Sequence, residues 1–103
     1  MTRGIGSDAN PRDGDRVKIE VDVEGGVVIE ARVISAGCEV STKASAALAR
    51  VARGRGRNEA LALTITDVTR KIGPIDEDRE RCVLTAVGAL RAAIVDAHVK
   101  AIA

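Results

Sequence analysis

No phenylalanine, tyrosine or tryptophan occurs in these 103 residues. A chain without aromatic faces cannot hold single-stranded nucleic acid by base stacking, so that class of binder is not expected. Its core must be filled by Val, Ile, Leu and Ala. Histidine occurs once, as His98. One histidine near the C-terminal end supplies no Ser–His–Asp or Cys–His arrangement, and a protonated imidazole there suits the negative end of a helix without any ligand role. The charge balance is close to neutral, at +1, so no global field selects an anionic partner. No apolar run reaches the roughly 18 residues of a membrane helix. Met1–Asn10 has no apolar stretch of the kind found in signal peptides. These absences imply a cytoplasmic protein with no membrane partner, in which cysteines stay reduced. Gly4, Gly6, Gly25 and Gly26 lack the strand-to-helix setting and the lysine of a phosphate loop. Internal repeats and linkers are absent.

What remains is a balance of 46% hydrophobic and 30% charged residues, enough for one soluble domain with an economical core. Residues 1–12 are polar and Gly-rich and read as an irregular arm, with at most a short strand near Arg3–Gly6. Residues 16–24 alternate, Val17, Ile19, Val21 and Val23 against Lys18, Glu20, Asp22 and Glu24, which is a half-buried strand. Gly25-Gly26 is a turn signal. A second strand over 27–35 sets Ile29, Ala31 and Val33 opposite Glu30 and Arg32. Helical spacing then takes over, with Val40, Ala44, Ala47, Leu48 and Val51 predicting a helix from about Glu39 to Arg53 that ends at Gly54 and Gly56. Short helices are expected over Glu59–Leu63, capped by Asn58, and over Thr66–Ile72, stopped by Gly73-Pro74. A long helix follows from about Asp76 to Ile102, with Val83, Val87, Leu90 and Ile94 on one face. Strands first and helices after predict an α+β domain: a small antiparallel sheet of two or three strands, with four helices packed on one face.

Cys38 stands where the second strand gives way to a helix. The first-turn amides of a helix point outward, a setting that favours the nucleophilic and metal-binding form of a thiol. Cys82 lies early in the long helix, bordering a stripe of small residues, Ala86, Ala89 and Ala93, that would let another element approach closely. Position alone divides evenly between a functional pair and two small buried core residues. A separation of 43 intervening residues carries no metal signature of its own.

The segment Val28-Ile29-Glu30-Ala31-Arg32-Val33-Ile34-Ser35-Ala36-Gly37-Cys38 resembles the second cysteine motif of the NifU/IscU-type iron–sulfur cluster scaffolds. The order of features after it is similar too: Gly54 at the close of the first long helix, Glu59-Ala60, Thr66-Asp67, then Cys82 followed by Ala89-Leu90-Arg91-Ala92-Ala93-Ile94. The likeness covers about residues 13–97 and implies a SufE/NifU-like fold. It also has departures. Asp13 stands where the family has its first cysteine, in an Asp13-Gly14-Asp15 motif, and Asp15 matches the family aspartate beside the cluster. Arg81 replaces the histidine before the third cysteine; its fixed charge cannot ligate. Gly73-Pro74-Ile75-Asp76-Glu77 replaces the proline-rich chaperone motif, which argues against docking of the chaperone.

The resemblance implies a non-enzymatic scaffold for iron–sulfur cluster assembly. Cys38 and Cys82, with Asp13 and Asp15, would hold a [2Fe–2S] cluster or a single zinc or iron ion, with Arg81 and Gly37 lying next to the ligands. Thiolates suit both cargoes because they are soft donors. A cysteine desulfurase would supply sulfur, and a homodimer could share one cluster through four cysteines. The alternative is a degenerate descendant, metal-free or zinc-holding, that serves as an interaction module of another complex. Arg53, Arg55 and Arg57 form a basic run with Arg50; it reads as a solvated helix end or a surface for a partner enzyme, and nucleic acid is the weaker alternative.

Overall fold

The computed structural model describes residues 1–10 and 15–102, and of Asp15 the backbone alone. Three strands, β1 (Thr2–Asn10), β2 (Asp15–Glu24) and β3 (Val27–Ser35), form an antiparallel sheet in the order β1-β2-β3. Four helices follow: α1 (Glu39–Ala52), α2 (Arg57–Leu61), α3 (Ile65–Ile72) and α4 (Glu80–Ile102), the last preceded by a 3-10 turn at Glu77–Arg79. The α+β architecture expected from the sequence is the one found.

The β2–β3 hairpin turns on Gly25-Gly26, whose φ angles of 59° and 77° are those required at both central residues of the tight turn that matches strand twist. Val17, Ile19 and Val21 are fully buried under the helices. On β3 the expected alternation fails at Ile29, which is 42% exposed while Val28 is buried. The register explains this: Asp22 pairs with Glu30 and Val23 with Val28, leaving Ile29 as an extra residue. Such a bulge shifts side-chain parity by one. A second irregularity leaves Ile34 outside the ladder in the same way.

Residues 2–10 are not an irregular arm. They form a nine-residue edge strand in continuous register with β2, from Thr2↔Val23 to Asn10↔Asp15. No apolar alternation marks this strand, because its inward positions are Gly4 and Gly6. A Cβ on Gly6 would overlap the Ala93 amide and the Ala89 carbonyl, and one on Gly4 would overlap the Ala93 carbonyl and lie 2.6 Å from the Ala97 amide. The two glycines and the alanine stripe of α4 therefore bring helix and strand into backbone contact. Val83, Val87, Leu90 and Ile94 lie beside this seam in the core. By length and composition Glu77–Ile102 would suit a membrane span, but half of it is packed within the domain, as in the core helix of a globular fold.

Each edge of the sheet is engaged over part of its length. Asp96 of α4 accepts the Ile5 amide at 2.9 Å, and Lys100 reaches the Arg3 carbonyl at 3.3 Å while pairing with Asp96 at 2.9 Å. At the start of β3, the connection after α1 makes an isolated antiparallel bridge, Val27 opposite Gly56. The Val28 amide donates to the Arg55 carbonyl at 2.9 Å, the Gly54 amide to Val28 at 2.7 Å and the Arg57 amide to Gly26 at 2.7 Å.

The wet face of the sheet carries an ion network across all three strands. Arg3 on β1 meets Asp22 at 3.1 Å, and Arg32 on β3 meets Asp22 at 2.9 Å and Glu20 at 2.8 Å. Burial pushes the Asp22 carboxyl up, but hydrogen bonds from Arg3 and Arg32 and their charges outweigh it and leave the group below its ordinary value.

Two predictions follow from this packing. Gly6→Ala should lower the unfolding free energy in urea by about 2 to 3 kcal/mol, since neither backbone at the seam can yield cheaply; Ile5→Ala, at a 40% exposed position, should stay within about 0.5 kcal/mol. A lowered carboxyl stabilises the fold above its unfolded value, about 3.9, and that stability is lost as pH falls through the folded value. Thermal melts should therefore hold steady near neutrality and decline below about pH 4. Asp22→Asn should lower stability at pH 7 by about 2 kcal/mol and flatten the acid limb of the curve.

Candidate metal and sulfur site

Cys38 and Cys82 come together: their sulfurs are 3.3 Å apart. The topology brings this about. β3 ends at Ser35, an Ala36-Gly37 bend reverses the chain, and Cys38 takes the N-cap position of α1. Gly37 is exposed in that bend, and nothing in the structure gives it a further role. Cys82 sits in the first turn of α4, 1% exposed, where the seam with β1 holds the helix against the sheet. A covalent disulfide would need about 2.05 Å between the sulfurs, so this pair stands as two thiols in contact.

Ser41 holds Cys38 in place, and sequence reasoning overlooked it. Its amide donates to the Cys38 sulfur at 3.3 Å, while its hydroxyl accepts the Cys38 amide at 2.8 Å and lies 3.0 Å from the Cys38 carbonyl. This is a reciprocal capping box with sulfur in the place of the usual hydroxyl. A serine three residues after the helix-opening cysteine was the available signal. Thr42 adds a hydrogen bond to the Cys38 carbonyl at 2.8 Å. One turn further on, the buried hydroxyl of Ser45 has no partner among the described residues.

The oxygen donors expected beside the thiols are not among the described side chains. Asp13 lies outside the described residues, as does the side chain of Asp15. The backbone brings β2's start to the same end of the sheet as the close of β3: Lys18 pairs with Ser35, and residues 15–17 continue β2 past that point against β1 alone. Among the described residues no three His, Cys, Asp or Glu side chains gather into a metal-sized group. Arg81 is exposed and lines a shallow depression with Asp8, Asn10 and Leu84. It has no ion-pair partner among the described residues.

The basic run does not act as one patch. Arg53 pairs with Glu30 at 2.6 Å, Arg55 donates to the Val51 carbonyl at 2.9 Å, and Arg57 lies 2.7 Å from His98 Nδ1. The residues alternate along the segment that pairs with β3, and each is tied to a different element. The Arg57 contact ties His98 on α4 to the start of α2.

Exposure separates the two thiols. Cys38 is half-buried and Cys82 fully buried. In the native protein iodoacetamide should alkylate Cys38 well before Cys82, with Cys82 modified at a comparable rate only after denaturation; equal native rates by mass spectrometry would contradict the geometry.

Comparison with known proteins places this arrangement. The chain is 30% identical over 93 residues to the iron–sulfur cluster assembly scaffold protein IscU 1 of Archaeoglobus fulgidus, covering 90% of this chain and 61% of that protein. It is 30% identical over 82 residues to the nitrogen fixation protein NifU of Nostoc sp., covering 80% of this chain and 27% of that protein. The chain thus spans less than two thirds of the length of these curated relatives. A candidate iron–sulfur cluster assembly scaffold protein for the SUF system from Fervidobacterium islandicum shares the fold, with a TM-score of 0.69 at 18% identity over 88% of this chain and 79% of that one. Residues 1–102 match the family model of the NifU-like N-terminal domain, and the chain belongs to that family of iron–sulfur cluster assembly scaffolds.

Proposed function

We propose that this protein is a carrier in iron–sulfur cluster assembly, with Cys38 and Cys82 as the sulfur ligands of its cargo and Asp13 and Asp15 as oxygen ligands. The observation that carries the reading is the 3.3 Å contact between the two sulfurs. Two thiolates on one tetrahedral zinc ion, at bonds of about 2.3 Å, stand about 3.7 Å apart. A shift of a few tenths of an ångström brings the pair to that spacing, which supports a zinc or iron ion or an edge of a [2Fe–2S] cluster. The position of Cys38 at a helix N-terminus favours an anionic ligand set.

Sulfur arrives from a cysteine desulfurase as a persulfide. The Cys38 thiolate attacks the outer sulfur, a new S–S bond forms on Cys38, and the desulfurase cysteine leaves as thiolate. Cys38 is the better acceptor because Cys82 is buried. The protein holds and passes on its cargo without turning over a substrate, in the reducing cytoplasm where both thiols persist.

Anaerobic reconstitution with zinc, or with ferrous iron and sulfide, should load the wild type with about one metal site per chain, since one thiol pair defines one site. Cys38→Ser and Cys82→Ser should each lose most of it, and Asp15→Ala part of it. Equal metal content in wild type and Cys38→Ser would sink the reading and leave a metal-free partner module.

A further inference from the structure

A cleft of about 420 Å³ runs between α1 and α3. Its floor is apolar and built from small or half-buried residues: Ala46, Ala47, Val51 and Ile72. Three cations rim it, Lys43, Arg50 and Lys71. Lys43 is paired with Glu39 at 3.2 Å; Arg50 and Lys71 have no ion-pair partner among the described residues. In a chain of net charge +1, this is a local excess of one sign around an apolar trough. Arg50 is also the member of the basic run that the β3 edge does not engage.

We propose that this cleft is a docking groove for an acidic, amphipathic helical segment of a partner protein. The apolar face of such a segment would lie on Ala46, Ala47, Val51 and Ile72, and its carboxylates would meet Arg50, Lys71 and Lys43. Such helix-in-groove recognition uses apolar anchors spaced at helical intervals. Along α1 the groove extends from Thr42 to Val51, about 14 Å at 1.5 Å per residue, which accommodates two to three turns of a partner helix. The choice of a protein over nucleic acid rests on the floor: apolar trough residues offer nothing to phosphates, and the chain has no aromatic faces for bases. Thr42, at one end of the groove, donates to the Cys38 carbonyl at 2.8 Å, so a bound segment would end one helical turn from the thiol pair. The inference does not depend on what that pair binds.

The probe is a fluorescein-labelled peptide with leucine and glutamate at helical spacing, tested on the full chain by fluorescence anisotropy and by amide shifts in ¹⁵N-labelled protein. Saturable binding is expected, weakening with salt as exposed charge pairs do. Shifts should concentrate on Thr42, Ala46, Val51 and Ile72. The double change Arg50→Glu and Lys71→Glu should lower affinity about tenfold or more, with the melting temperature unchanged. Absence of saturable binding would overturn the proposal. So would equal binding by a leucine–lysine peptide, tighter binding of a DNA oligonucleotide at the same residues, or self-association in sedimentation that the double change disperses. Zinc loading of the double variant, and peptide binding by Cys38→Ser, should both match wild type; this keeps a failure of the groove distinct from a failure of the metal site.

Discussion

The backbone contact between α4 and β1 is the constraint from which the rest of the molecule follows. A core without aromatics has few large side chains to fill the gap between a helix and a sheet, so the gap itself must close. Gly4 and Gly6 on the strand and Ala89, Ala93 and Ala97 on the helix close it. Close packing of small groups regains in dispersion contacts part of what the missing large side chains would have supplied in buried area. The same contact sets the axial position of α4, and with it the position of Cys82 relative to the start of α1.

The thiol pair is thus held from two sides by different means. Cys82 is placed by packing, as one residue of a helix held against the sheet over much of its length. Cys38 is placed by hydrogen bonding, as the cap of a helix whose third residue, Ser41, bonds back to it. Such a site can be fixed on its buried side and adjustable on its exposed side. That division suits the carrier role proposed for the pair, since the capping bonds are individually modest and the packed seam is not easily moved.

Much of the fold was legible in the chain itself. The β2–β3 hairpin and the helical periods of α1 and α4 appear as clear patterns, because each buries one face of a long element. β1 was not legible. A strand whose inward residues are glycines shows no alternation, and only the alanines on its partner helix reveal why. Ile29 was misplaced because a bulge changes parity, and nothing local to Val27–Ser35 signals the extra residue. Cys38 and Cys82 could be paired through the family likeness, not through their spacing, while Ser41 escaped notice because its role depends on a sulfur acting as a cap. The arginines after α1 looked like a patch, and their alternation along an extended segment disperses them. α1 starts at Glu39 as expected, whereas α2 starts two residues early, after Gly56 and not Asn58, and α4 starts at Glu80, after a 3-10 turn, and not near Asp76.

The partial covering of each sheet edge bears on how the molecule can meet others. β1 has Asp96 and Lys100 against its outer backbone, and β3 has the Gly54–Arg57 segment along its own. At those positions a strand from another chain finds the donors and acceptors already engaged, which disfavours β-augmentation there. The β3 engagement lies at the hairpin end of that strand, while the thiol pair lies beyond its other end, past Ser35, so the shielding of the edge and the two sulfurs occupy opposite ends of one strand.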